Sequence, residues 1–370
     1  MNEEKRKIQL EALAALEKNN YNGIVLIPTG GGKSYVLIES LRRLYKPGMK
    51  VLYTCDSRRL RDEDFNAELQ KWGCGKYCDL IDRECYASAC KKKEEHYDVL
   101  LADEGDASLS PIYANLYRNN TFTHIIFVSA TLEANKRTMA KEIAPIIYEK
   151  KLKEIEEREV VNKSQLYYVP YRLSDKENNE YLKFNSRYTN LLKQPDSKNR
   201  AERLKFLTFE RIHFLAGLES SVYICKKLLA ELRQKANARI LVFCASTDQA
   251  DKICEYSYHG KNEKDDNLNK FNNGEIQEAA VCGKINRGVN LNGVNHIIME
   301  SVTNSETRST QQTGRGKRLP IDEILSIYFP VPYYTKPWAK NTPFPTIVLR
   351  KIQTSCKNMG IENAKTYIVK

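Results

Sequence analysis

Residues 24–34 read IVLIPTGGGKS: four apolar residues, a turn with three consecutive glycines, then Lys33-Ser34. The apolar run is short and continuous, which is the pattern of a strand covered on both faces. A helical pattern follows at once. From Ser34 to Tyr45, Val36 or Leu37, Leu41, Leu44 and Tyr45 share one face. Strand, glycine-rich turn, Lys-Ser and helix is the arrangement a phosphate-binding loop requires. Backbone N–H groups of Thr29, Gly30, Gly31 and Gly32 can turn inward around an anion, and the helix start adds partial positive charge. Lys33 is then placed for the β- and γ-phosphates and Ser34 for Mg²⁺. The strict pattern has glycine at position 27, where this chain has Ile27. A glycine-rich turn that binds nothing is the competing reading.

A second stretch supplies complementary chemistry. Residues 97–108 read YDVLLADEGDAS, in which the run Val99–Ala102 ends in Asp103-Glu104. An acidic pair at the carboxyl end of a buried parallel strand lies where open α/β sheets bind ligands. Asp103 suits Mg²⁺ and Glu104 suits orienting and deprotonating an attacking water. A polar turn after an apolar strand is the plain alternative.

The chain has 370 residues, 41% hydrophobic and 29% charged. That length favours two domains, and that composition favours a packed rather than a disordered chain. The net charge of +12 suits a polyanionic partner. Ten cysteines contain no C-x-x-C pair. Cys74, Cys78, Cys85 and Cys90 crowd together, but their loose spacing reads as scattered thiols rather than a zinc or iron–sulfur site. No secretory signal or membrane-length apolar run is visible, so an intracellular, cytoplasmic location away from membranes is expected.

Apolar runs at Ile24–Ile27, Val51–Thr54, Val99–Ala102 and Ile125–Val128 alternate with helical stretches, which predicts a parallel sheet. Residues 149–163 are highly charged and read as an exposed helix or linker. Tyr167–Tyr171 starts a new strand pattern. Residues 174–236 are polar and helical, with Val222–Cys225 the one run there that could be a strand. Strands resume at Arg239–Phe243, Ala279–Cys282, His296–Met299 and Ser326–Phe329. The expected architecture is α/β with domains at 1–165 and 166–345, a helical insertion at about 174–236 in the second, and an extension at 346–370.

Further motifs fall in a collinear order. After PTGGGKS and DEGD comes Ser129-Ala130-Thr131. Later stretches are LVFCAST at 241–247, Tyr258-His259-Gly260, VCGKINRGVNL at 281–291 and QQTGRGKR at 311–318; Arg6-x-x-Gln9 precedes them all. This order resembles the superfamily-two helicases and translocases of DEAD/DEAH-like type, built from two tandem RecA-like domains. The stretch 281–291 looks most like phage-type UvsW-like DNA helicases. Gly105-Asp106 stands where relatives have Ala-His or Ala-Asp, and Asn290 stands where they have Asp.

The resemblance implies ATP and Mg²⁺ as cofactors. It places Arg6, Gln9, the glycine loop, Gly288 and Gln311 around ATP, with Ser34 and Asp103 on the metal. Lys33, Asp103, Glu104, Arg315 and Arg318 become the catalytic set, the arginines reaching across from the second domain. Asp106, Ser129, Ala130 and Thr131 would couple nucleotide to track. Ser57, Arg58 and Arg59, with Ser246 and Thr247, would contact phosphates without reading sequence. The implied partner is nucleic acid, DNA ahead of RNA, for a monomeric core acting with replication or recombination proteins. An RNA helicase of the same fold and a non-hydrolysing nucleic-acid clamp are the alternatives.

Overall fold

The computed structural model describes residues 2–262, 266–282, 291–300, 314–317, 319–333, 352–353, 356 and 364–369. The first half runs α1 (Glu3–Lys18), β1 (Gly23–Leu26), α2 (Lys33–Leu44), β2 (Val51–Cys55), α3 (Phe65–Lys71), β3 (Asp82–Cys85), α4 (Tyr86–Ala89) and β4 (His96–Ala102). It continues with α5 (Asn115–Asn119), β5 (Thr121–Ser129), α6 (Ala134–Ile143), β6 (Ile146–Glu149) and α7 (Leu152–Glu157). Its six strands form one all-parallel sheet in the order β3-β2-β4-β5-β1-β6.

The unbroken apolar runs follow from two cores, one on each face. In β1, Val25 and Ile27 join one cluster while Ile24 and Leu26 join the other. In β5, Ile126 and Val128 divide from Ile125 and Phe127 in the same way. Successive side chains point to opposite faces, so a sheet covered twice leaves no position for polar alternation.

The second half begins with β7 (Ser164–Arg172), followed by helices α8 (Asp175–Leu192), α9 (Lys198–Ala216) and α10 (Glu219–Leu232). Then come β8 (Ile240–Phe243), α11 (Thr247–Ile253), β9 (Ser257–Tyr258), α12 (Asn267–Asn273), β10 (Glu278–Val281), β11 (His296–Met299), β12 (Leu325–Tyr333) and β13 (Ala364–Thr366). The second sheet is also all-parallel, ordered β13-β7-β12-β11-β8-β10-β9. The helices α8–α10 interrupt it between β7 and β8, as the sequence pattern predicts.

One open reading is settled and one expectation is corrected. Val222–Cys225 is one turn of α10, whose buried residues Val222, Cys225, Leu228, Leu229 and Leu232 repeat with helical spacing, while Tyr223 faces out. The charged segment 149–163 is not simply exposed. Leu152, Ile155, Val160 and Val161 are buried and join apolar residues of both sheets into one contiguous cluster. The charges occupy the remaining faces of an amphipathic strap.

That strap also holds a buried ion pair. Lys317 Nζ pairs with Glu156 and donates to the Asn162 carbonyl at 2.8 Å. Burial lowers the Lys317 pKa, and burial raises that of Glu156. Removing the ammonium alone strands a buried carboxylate, so Lys317→Ala should cost about 3 kcal/mol. Lys317→Met combined with Glu156→Leu should recover part of it. Urea unfolding of the three proteins tests this, and equal losses in the single and double variants would refute it.

Candidate nucleotide-binding site and its flanking edge

The glycine turn sits directly beyond β1. Gly30 and Gly32 have φ of +91° and +98°, a backbone region that side chains with a Cβ enter only under strain. A Cβ on Gly32 would also lie 2.1 Å from Gln9 Nε2. The turn opens α2 with no side-chain cap; the Tyr35 and Val36 N–H groups return to the Gly32 carbonyl, which leaves those of Lys33 and Ser34 at the helix start for an anion.

β5 lies between β1 and β4, so the loops after β1 and β4 flank Ser129 at the end of β5. Across that gap Lys33 Nζ stands 3.6 Å from Glu104 Oε1, both side chains largely buried. Glu104 Oε2 is buried without a hydrogen-bond partner, and so is Gln9 Oε1 on the inward face of α1. Glu104 itself has a φ of +47°. Such a residue costs on the order of 1 kcal/mol or more, a kind of strain that clusters at functional sites.

Asp103 is held from three sides. Tyr53 Oη donates to its Oδ2 at 3.2 Å, and the Glu104 N–H donates to its Oδ1 at 3.0 Å. Tyr86 Oη donates to its carbonyl at 2.8 Å. Burial, followed by the neighbouring Glu104 carboxylate, pushes the Asp103 carboxyl up to about 6. The Asp103 carboxylate and the Ser34 hydroxyl are hard oxygen donors of the kind Mg²⁺ takes.

Asp106 is fully buried and accepts from Ser129 Oγ at 2.9 Å. The same hydroxyl lies 2.9 Å from the Thr131 carbonyl, and Lys136 Nζ donates to the Asp106 carbonyl at 2.9 Å. Ala130 is buried between Ser129 and Thr131. The departure at Gly105 has a steric reason: a Cβ there would lie 2.7 Å from the Phe127 ring. Arg6 stacks over Tyr35 in α2, 4.5 Å from the ring centroid, which keeps it beside the glycine turn.

The second sheet's contribution arrives through the turn Gly314–Gly316. A Cβ on Gly314 would lie 2.7 Å from Thr29 Cβ, and one on Gly30 would lie 3.1 Å from the Lys317 carbonyl oxygen. The turn that carries Arg315 therefore closes directly on the glycine loop. The Arg315 side chain, Arg318, Gln311, Gly288 and Asn290 lie outside the described residues.

The expected phosphate contacts occupy the carboxyl ends of β2 and β8. Arg58 is exposed, whereas Arg59 faces Glu63 at 3.6 Å. Ser57 Oγ accepts the Leu60 N–H at 3.3 Å. Ser246 caps α11, with its Oγ accepting the Gln249 N–H at 3.2 Å, and Thr247 Oγ1 lies 3.3 Å from Asp248. Cys74, Cys85 and Cys90 are buried and Cys78 is half-buried; among the described residues no three His, Cys, Asp or Glu side chains cluster to hold a metal.

Sequence reasoning missed Tyr53, Tyr86, Lys136 and Lys317, which act through partners far away in the chain. It also missed Glu300, which follows β11. Glu300 is buried, and it accepts from Ser221 Oγ, Gln249 Nε2 and the Ala245 N–H, each at 3.0 Å. It thereby fixes the loop that leads into Ser246. Tyr53 alone carried a signal, as a polar ring inside an apolar strand.

Residues 223–319 match the family model described as helicase conserved C-terminal domain. None of the curated proteins matches this sequence. Among solved structures, Dbp5 of S. cerevisiae bound to RNA and ADP BeF3 aligns with a TM-score of 0.65 at 14% identity, covering 98% of this chain and 90% of that one. The fold is that of two tandem RecA-like domains. The helicase domain of Hef from Pyrococcus furiosus aligns at 0.52 and 14% identity, over 87% of this chain and 94% of that one. The type ISP restriction-modification enzyme LlaBIII bound to DNA aligns at 0.61 and 11% identity, over 99% of this chain and 31% of that one. At these identities the likeness is one of fold, and over residues 223–319 it is also one of domain family.

Among the described residues no helix is long and apolar enough to cross a membrane. Burial raises the Glu300 carboxyl from 4.5 to about 7, against the pull of its three donors. The folded state therefore holds a proton that the unfolded state has lost between those values, and stability falls as pH rises through that window. Glu300→Gln lacks this titration. Its melting temperature relative to wild type should rise between pH 5 and pH 8, and a difference that is flat with pH would refute the assignment.

Proposed function

We propose that this chain is an ATP-dependent helicase or translocase on nucleic acid, with DNA as the track in preference to RNA. One observation carries the reading. Lys33, Asp103 and Glu104 converge at the uncapped start of α2, and the Gly314–Gly316 turn of the second sheet closes on the same glycine loop. We take residues 1–165 and 166–345 as the two motor units, with 346–370 as an extension.

Each residue then has a chemical task. The glycine-loop amides and the α2 N-terminus bind the phosphates of ATP. The γ-phosphate takes over Lys33 from Glu104, the anion that faces it in the structure. Glu104, already with one unpartnered oxygen, is then free to accept a proton from the attacking water. Mg²⁺ held by Ser34 and Asp103 would neutralise charge on the phosphates. Gln9 sets its amide nitrogen against Gly32, and its unpartnered oxygen could accept from an adenine amine.

Arg315 and Arg318 supply the charge that stabilises the transferring phosphoryl group, an effect worth roughly 10³–10⁵ in rate in related chemistry. Domain closure is thereby tied to hydrolysis. Asp106 and Ser129 link the base position to the 129–131 turn. Ser57, Arg58, Ser246 and Thr247 line the edge that tracks phosphates. The preference for DNA, and for branched or duplex DNA in replication, recombination or repair, rests on the resemblance of residues 281–291 and of the compact core to DNA helicases.

Lys33→Ala and Glu104→Gln should each reduce ATP turnover at least a thousandfold. Lys33→Ala should also weaken ATP binding, while Glu104→Gln should retain it. Steady-state hydrolysis and nucleotide-binding assays check both. Normal turnover in either variant would remove the site assignment. Stimulation by RNA but not DNA would transfer the reading to an RNA motor, and tight nucleic-acid binding with no hydrolysis would transfer it to a clamp.

A further inference from the structure

The hairpin formed by α8 and α9 is the part of the second domain that the nucleotide site does not use. Its two helices pack chiefly on each other. Its base is anchored where Tyr171, Leu173, Tyr181 and Leu218 are buried against Phe214 and Leu215. At the far end Arg200 ties the turn together, donating to the Leu191 and Leu192 carbonyls, each at 3.1 Å, and pairing with Asp196 at 2.9 Å.

The outward face of α9 is unusual for a solvated helix. Phe206 and Phe209, one turn apart, are 66% and 67% exposed. Arg203 and Lys205 border them and Lys198 lies about two turns further back on α9, all exposed and without an ion pair among the described residues. Of the nearby carboxylates, Glu210 is already paired with Arg187 at 3.4 Å, and Glu202 shares the face. Two rings set among cations and polar side chains make too small an apolar patch for a stable protein interface. They do match the elements that hold single-stranded nucleic acid, namely aromatic faces for bases and cations for the backbone.

The hairpin also starts at the right edge. Every strand of the second sheet is parallel, so the carboxyl end of β7, which leads into α8, lies on the same edge as the Ser246–Thr247 loop. A chain of contacts joins them. Glu177 of α8 accepts the Ser220 N–H at 3.1 Å, Ser221 donates to Glu300, and Glu300 accepts the Ala245 N–H.

We infer that the α8–α9 hairpin is a second nucleic-acid contact, in which Phe206 and Phe209 stack on unpaired bases while Lys198, Arg203 and Lys205 hold the adjoining phosphates. The inference rests on the proposed motor function and extends it, since it gives the motor a grip on bases at a junction between duplex and single strand.

The test is fluorescence anisotropy with a labelled forked DNA over a range of salt. Phe206→Ala combined with Phe209→Ala should weaken binding at least tenfold and leave the salt dependence unchanged, because neither ring neutralises a phosphate. Arg203→Ala with Lys205→Ala should flatten the logarithmic salt slope by about 1 to 2. Unchanged affinity in the first double variant would overturn the inference. So would a wild-type dimer that becomes monomeric in that variant, which would assign the face to a second copy of the chain. If wild-type protein bound no DNA or RNA and its ATPase responded to neither, the motor reading itself would fall, a result distinguishable from a hairpin that contributes nothing.

Discussion

Lys33 and Glu104 face each other at 3.6 Å across the end of β5, and most of the candidate site is arranged around that pair. Their elements are not sheet neighbours. The loop after β1 delivers the lysine and the loop after β4 delivers the carboxylate, with one strand between them. Parallel direction puts both loops on one edge, and their side chains reach each other across the end of the intervening strand. Ser129, at the end of that middle strand, is within reach of Asp106 for the same reason.

Burial sets the chemistry of the pair's surroundings. Burial and the neighbouring Glu104 carboxylate make the ionised form of Asp103 costly, against the pull of Lys33 and of the hydrogen bond from Tyr53. The strained backbone of Glu104 and its unpartnered oxygen are further departures from what a relaxed loop would adopt. The surrounding sheet is rigid enough to hold them. Its central strands are buried on both faces, and the connecting strap links that core to the second domain.

The second domain reuses the same logic with different groups. Its polar loops also collect at the carboxyl ends of parallel strands. There a buried carboxylate, Glu300, organises the loop by accepting three hydrogen bonds. Lys317 plays a comparable part at the domain boundary, its ammonium fixed to the strap while Gly314 and the Lys317 carbonyl meet the glycine loop. The α8–α9 hairpin adds an aromatic and cationic face that neither sheet needs for its own packing.

The sequence by itself determined the strands, the glycine turn and the acidic pair. Those signals are local: an apolar run of strand length, glycines where φ must be positive, and charges at a strand end. It also determined where the helical insertion falls, because strand patterning stops there. It misread segment 149–163, since a strap with only four buried apolar residues is outweighed by its charges. It left Val222–Cys225 open, because four apolar residues fit one helical turn as well as a strand. Only the tertiary structure decided that Tyr53 and Tyr86 would hold Asp103, that Lys317 would find Glu156, and that Glu300 would serve the Ala245 loop. Those partners lie 17 to 161 residues apart in the chain. Contacts of that span are set by sheet order and register, which no local pattern encodes.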